Sequence, residues 1–226
     1  MLLDFQPKAM LFDMDGVLYN SMPNHAVAWT RSMAEFGIIM SEHDAYATEG
    51  ARGIDTIRMM VKEQQGRDID EVESQRMYDL KTRYFHEMAE AQVFPGVLTL
   101  MQKLKDADIT IGVVTGSGQR PLIHRLLTDF AGFLDESHIV TAYDVKHGKP
   151  NPDPYLMGME KCGVKAHETV VVENAPLGVR AAKAANIFTI AVNTGPLPDA
   201  ELAAEGADVI LPSMEALSMA WDAKER

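Results

Sequence analysis

Two carboxylates set two residues apart, Asp13 and Asp15, stand where the apolar run Ala9-Met10-Leu11-Phe12 gives way to Gly16. Such a run predicts a short strand covered on both faces, as in a parallel sheet, and the glycine predicts the turn that leaves it. The two acids then sit at the carboxyl end of a strand, the edge at which open α/β sheets bind ligands. One acid of such a pair can attack an electrophile while the other moves a proton, provided its neighbours tune its pKa. Taken alone, Asp-x-Asp-Gly is as readily a surface turn, so three later stretches decide the matter.

The first is Thr115-Gly116-Ser117-Gly118-Gln119, a hydroxyl and two glycines after the apolar run 110–114. Backbone N–H groups in such a loop suit phosphate oxygens, although no lysine follows the glycines and the loop is not of the Walker type. The second is Gly148-Lys149-Pro150-Asn151-Pro152-Asp153-Pro154, which holds a lysine in a loop stiffened by three prolines. The third is Glu173-Asn174 after the run 169–172, followed by Ala175-Pro176-Leu177-Gly178 at the start of a helix. An acid and an amide there could by themselves be a helix cap.

The elements that must position these groups follow from the apolar spacing. Helical period covers 23–36, placing Val27, Thr30, Met33 and Ala34 on one face, and recurs over 54–61 and 72–88. From Phe94-Pro95-Gly96 onward helices and strands alternate, with strands at 110–114, 139–140, 169–172, 188–192 and 208–210. This pattern predicts an α/β fold with a parallel sheet wrapped by helices. A helical domain over 22–92 is inserted after the first strand, leaving 1–21 and 93–226 as the core.

The chain has 226 residues, enough for one core and an inserted module. Its 33 acidic and 21 basic residues give a formal charge of −12, which disfavours nucleic acid and acidic membrane surfaces. No long apolar span or signal-like start is present, and Cys162 is the single cysteine, so the expected setting is the cytoplasm. The sequence says nothing of oligomeric state.

In order, the four stretches resemble the haloacid dehalogenase-like hydrolases, and the helical insertion resembles the cap of their β-phosphoglucomutase-like subgroup. Ser21, His25 and Trp29 after Asp15-Gly16-Val17-Leu18 strengthen that likeness, as does Gly148-Lys149-Pro150. The resemblance implies a Rossmann-like core and an aspartyl-phosphate mechanism with Asp13 as nucleophile and Asp15 as acid and base. Thr115, Gly116, Ser117 and Lys149 would hold the phosphoryl oxygens, with Ser21 and His25 nearby on the substrate side. Mg²⁺ would be held by Asp13, the Asp15 carbonyl and position 174, with Glu173 behind them. That position is usually Asp in the family and is Asn174 here, which removes one negative charge from the metal site.

Within the insertion, only Thr48-Glu49-Gly50-Ala51-Arg52-Gly53 looks built for contact. The mutases of the subgroup carry Lys-Gly at this place. Glu49, read with Asn174, is more similar to an inorganic pyrophosphatase branch. A carboxylate facing two acids and an anionic substrate is costly unless it meets the metal, so the expectation is that Glu49 reaches Mg²⁺ and that the substrate is small, pyrophosphate above all, with Arg52 and Lys149 on its phosphates. The alternatives are a sugar-phosphate phosphatase or β-phosphoglucomutase, and, from another class, a catalytically idle binding module that has kept the fold. A dehalogenase is disfavoured because Asp15 supplies an acid that carbon–halogen hydrolysis does not use.

Overall fold

The computed structural model describes residues 3–118 and 120–221. Strand β1 (Ala9–Phe12) is followed by four helices, α1 (Met22–Ala34), α2 (Glu42–Ala47), α3 (Gly53–Gln65) and α4 (Glu71–His86). The chain then alternates through α5 (Val97–Asp106), β2 (Thr110–Val114), α6 (Arg120–Asp129), β3 (Ile139–Val140), α7 (Asp153–Cys162), β4 (Thr169–Glu173), α8 (Pro176–Ala184), β5 (Phe188–Val192), α9 (Asp199–Ala204), β6 (Val209–Leu211) and α10 (Met214–Trp221).

The six strands form one parallel sheet in the order β3-β2-β1-β4-β5-β6. Period-2 alternation splits β1 between two cores. Met10 and Phe12 pack with the apolar faces of α5 and α10 on one side, and Leu11 packs with Tyr155 and Met159 of α7 and Ala181 and Ala182 of α8 on the other. This is the Rossmann-like α/β architecture expected, with β1 in the middle and both acids leaving its carboxyl end. Cys162, the last residue of α7, is half-buried beside the same core, and burial pushes its thiol up to about 11, which keeps it unreactive.

The inserted helices build an apolar cluster of their own around Trp29, Met33, Ile57, Met60 and Met77. Local signals set their ends. Ser41 and Asp44 form a capping box on α2, the Asp70 side chain accepts from Glu73 N–H at 2.8 Å, and Gly66 stops α3 in the left-handed region. The two connections run side by side, with Asn20 N–H on Gln92 C=O and Phe94 N–H on Leu18 C=O.

Two expectations need correction. On α1 the buried residues are Met22, His25, Ala26, Ala28, Trp29, Ser32 and Met33, while Val27, Thr30 and Ala34 are exposed. His25 and Ser32 sit on the inner face as polar residues, and a reading by hydropathy alone slips to the wrong stripe. The short helices α2 and α9 were also not foreseen, because six residues hold less than two full turns of apolar period.

Candidate active site

Asp13 and Asp15 lie at the carboxyl edge of the sheet, both buried. The Asp13 N–H still bonds to Val172 C=O, so the residue continues the β1–β4 ladder for one further step. Lys149 reaches under it from the proline-rich loop. Its Nζ donates to Asp13 Oδ1 at 2.5 Å, to Glu173 Oε1 at 2.6 Å and to Val114 C=O at 3.1 Å. Glu173 also accepts from the Tyr155 hydroxyl at 2.6 Å and from the N–H groups of Asn174 and Ala175. Burial works against the Lys149 charge, yet Asp13 and Glu173 outweigh it and hold the ammonium protonated well above the ordinary range. For Asp13 burial dominates and raises its pKa, with Lys149 opposing. The group is an ion cluster sealed from water, where removing one partner is far more harmful than its net worth implies.

Two buried oxygens in this group have no hydrogen-bond partner, Asp13 Oδ2 and Asn174 Oδ1. Buried acceptors of this kind call for an ion or a water. Among the described residues no three His, Cys, Asp or Glu side chains converge as a ready cage. One carboxylate and one amide oxygen instead suit a hard cation that keeps its own waters, which is magnesium's habit. Gly16 makes room for this: its φ is +87°, and a Cβ there would run into the Asn174 amide.

Asp15 belongs to a different set. Its Oδ1 accepts from the Ser21 hydroxyl at 2.6 Å and lies 3.2 Å from His25 Nε2. Behind His25 stands Lys81 of α4, whose Nζ is 2.6 Å from His25 Nδ1. Lys81 is buried in a box of Trp29, Tyr78 and Phe85, and the His25 ring stacks on Phe85 at 4.3 Å. Burial lowers the Lys81 pKa to about 8, with Glu49 and Asp15 pulling the other way. For Asp15 burial is outweighed by His25, Ser21 and Lys81, so its pKa falls. Glu49 is pushed up by burial, with His25 and Lys81 opposing and Asp15 adding.

The inserted helices close directly on the loop after β2. A Cβ on Gly116 would lie 2.7 Å from the Gly50 carbonyl oxygen, and one on Gly50 would lie 3.0 Å from Lys149 Cδ. The Thr115 hydroxyl accepts from Ser117 N–H at 3.0 Å, fixing the loop's shape. The structure thus brings together Asp13, Lys149, Glu173 and Asn174, gathers Ser21, His25 and Glu49 around Asp15, and seats Gly116 against Gly50. The Arg52 side chain lies against Gly148, next to Lys149, with its guanidinium held by Asp55 at 2.7 and 3.2 Å. Glu49 lies close enough to His25, Lys81 and Asp15 to feel all three charges. The sequence reading missed Lys81 and Tyr155. A lysine on an amphipathic helix carries no local mark of burial, whereas Tyr155 at the start of α7 could have been sought as a partner for Glu173.

The model of the haloacid dehalogenase-like hydrolases matches residues 10–192. The chain belongs to that family. This hydrolase is 34% identical over 212 residues to hexitol phosphatase A of Escherichia coli K12, covering 94% of each chain. It is 25% identical over 222 residues to the beta-phosphoglucomutase of Bacillus subtilis, covering 95% and 96%. A solved structure from Bacteroides vulgatus, provisionally named a beta-phosphoglucomutase, superposes with a TM-score of 0.92 at 47% identity over 96% of this chain and 88% of that one. By sequence and by fold this hydrolase groups with the beta-phosphoglucomutase-like members. Among its described residues no helix is long and apolar enough to cross a membrane.

Proposed function

We propose that this hydrolase is a Mg²⁺-dependent phosphohydrolase that works through an aspartyl-phosphate, with inorganic pyrophosphate as its preferred substrate. Asp13 attacks phosphorus and forms the new O–P bond, while the bond to the leaving oxygen breaks and Asp15 gives that oxygen its proton. Asp15 then takes a proton from the water that releases phosphate from Asp13. Lys149 holds Asp13 by Oδ1 and leaves Oδ2 without a protein partner. Of the loop after β2, the Gly116 N–H would serve the transferring oxygens, since Thr115 N–H is bonded to Val140 C=O and Ser117 N–H to the Thr115 hydroxyl, and the segment 22–92 acts as a cap that excludes water. Asp13, the Asp15 carbonyl and Asn174 would hold Mg²⁺, which when bound neutralises phosphate charge.

The observation that carries the pyrophosphate reading is the buried Lys81 ammonium, which stands behind His25 beside Asp15. A phosphate leaving group brings its own negative charge to a site that already holds Asp13, Asp15 and Glu49. The Lys81 ammonium, 2.6 Å from His25 Nδ1 on the Asp15 side of the site, would offset that charge. A neutral sugar or polyol leaving group needs the proton from Asp15 and no buried cation. The sequence argument from Glu49 rests on a metal contact; Lys81, whose charge acts on Glu49, adds an argument from the leaving-group side.

A sugar-phosphate reading is favoured by a different observation. A cavity of about 330 Å³ lined by Asp15, Ser21, Asn24, Phe85 and Arg125 opens onto the same acid and has room for a hexitol. The hexitol phosphatase relative points the same way. Measuring kcat/KM with Mg²⁺ for pyrophosphate, hexitol phosphates and glucose phosphates separates the two. A higher value for any sugar phosphate overturns the pyrophosphate assignment, and no turnover of any of them, or of p-nitrophenyl phosphate, leaves the idle-module reading.

A further inference from the structure

The loop after β5, Asn193-Thr194-Gly195-Pro196-Leu197-Pro198, was singled out by no motif, yet it touches both halves of the molecule. Its leucine belongs energetically to the other half: Leu197 is 4% exposed and packs in the apolar cluster of the inserted helices with Trp29, Met22 and Tyr46. The Tyr46 ring covers Gly195, where a Cβ would approach it to 2.7 Å. At the rim, His43 of α2 meets Glu201 of α9 at 3.1 Å. At its near end the loop reaches the reaction edge, where the Thr194 hydroxyl donates to the Gly16 carbonyl at 2.6 Å.

Gly16 is therefore held between two contacts, Thr194 on its carbonyl and the Asn174 amide against its α-carbon. It directly follows Asp15, so any movement of this turn moves the acid and its carbonyl. The loop itself is stiff. Two prolines flank Leu197, Asn193 N–H bonds to Leu211 C=O at 2.8 Å, and the Asn193 amide donates to Leu197 C=O at 2.8 Å and to Asp199 at 2.5 Å. A stiff segment with one end in the cap cluster and the other on the Asp15–Gly16 turn transmits the seating of the helices to that turn.

We propose that residues 193–198 form a strap that registers the inserted helices against the Asp15–Gly16 turn, with Leu197 as its anchor and Thr194 as a positioning residue for the reaction. The kinetic part rests on the phosphohydrolase reading; the anchoring part does not. Thr194→Val keeps the shape of the side chain and removes the donor, and it lowers kcat on the order of tenfold with KM little changed, because the misplaced group is the acid and not the substrate's anchor. Thr194→Ser restores kcat.

Leu197→Ala loosens the helices, read as greater acrylamide quenching of Trp29 in a Trp221→Phe background that leaves Trp29 as the sole tryptophan. Leu197→Met, which conserves volume, keeps Trp29 shielded, and a urea transition on each variant confirms that it is folded. Wild-type kcat in Thr194→Val, failure of Thr194→Ser to rescue, or unchanged Trp29 quenching in folded Leu197→Ala overturns the strap. Absence of turnover in the wild-type protein would overturn the phosphohydrolase reading instead, and the quenching experiment would still decide the anchor.

Discussion

The two carboxylates that open the chain's chemistry live in unlike surroundings. Asp13 is held entirely by the core, through Lys149 from the proline-rich loop and Glu173 at the end of β4. Asp15 is held across the junction, through Ser21 at the start of α1, His25 on α1 and Lys81 on α4. The first set is built from core residues alone, and the second needs the helices in place. On the proposed mechanism, a nucleophile held by the core and an acid completed by the helices would confine proton transfer to the closed, water-free state.

The sharpest way to break this contrast is at Asp13. Asp13→Asn is nearly isosteric and should leave a folded protein whose turnover falls by several orders of magnitude, measured as phosphate release. Near-normal activity in that variant would make the covalent step wrong. Next in size is Lys149→Met, which leaves Asp13 and Glu173 as buried carboxylates facing each other. Loss of stability of about 3–5 kcal/mol is expected from urea unfolding at pH 7, along with loss of activity.

On the junction side the sign reverses. Lys81 has a folded pKa of about 8 against 10.5 for the free side chain, so burial of its charge costs about 3 kcal/mol below pH 8. Between these values the unfolded chain binds the extra proton, and the wild type gains stability as pH rises. Lys81→Met should therefore unfold at higher urea than the wild type at pH 7, with the gap closing towards pH 10, while turnover of pyrophosphate drops roughly tenfold. A variant less stable than the wild type at pH 7 would mean that the pairing with Glu49 and His25 outweighs burial. The smallest effect belongs to Asn174. Asn174→Asp adds a carboxylate to an oxygen-ligand site and should lower the Mg²⁺ concentration for half-maximal turnover a few-fold, and Asn174→Ala should raise it. Equal values in all three proteins would place residue 174 outside the metal shell.

The same contrast explains what could be read from the sequence. Asp13, Glu173 and Asn174 sit in or beside strand-end motifs, where residue type and an apolar run stand within a few positions of one another, and Lys149 is marked by its prolines; only Tyr155 carries no such mark. The sheet was equally legible because each strand is a compact block such as Val170-Val171-Val172. The Asp15 set is assembled from distant helix faces. Lys81 lies among Asp79, Thr82 and Arg83 and looks like any solvated lysine; only the convergence of Trp29, Tyr78 and Phe85 around it reveals burial. Glu49 stands out in the sequence as an odd charge on the inserted segment, but the nearby charge of Lys81 is not visible there. Leu197 between two prolines reads as a surface loop, and nothing local shows that its side chain belongs to the inserted helices.

The central place of β1 has a consequence for the order in which the molecule is made. Its two neighbours, β2 and β4, lie far downstream, so when Asp13 and Asp15 leave the ribosome no strand yet exists to pair with theirs. The four inserted helices, by contrast, are contiguous and find most of their contacts among themselves. Helices of low contact order form before long-range parallel pairing. The inserted segment can thus assemble, short of its Leu197 contact, before the strand that carries Asp13 has either partner, and the carboxyl edge is finished only once Glu173, Asn174 and the 193–198 loop have been added.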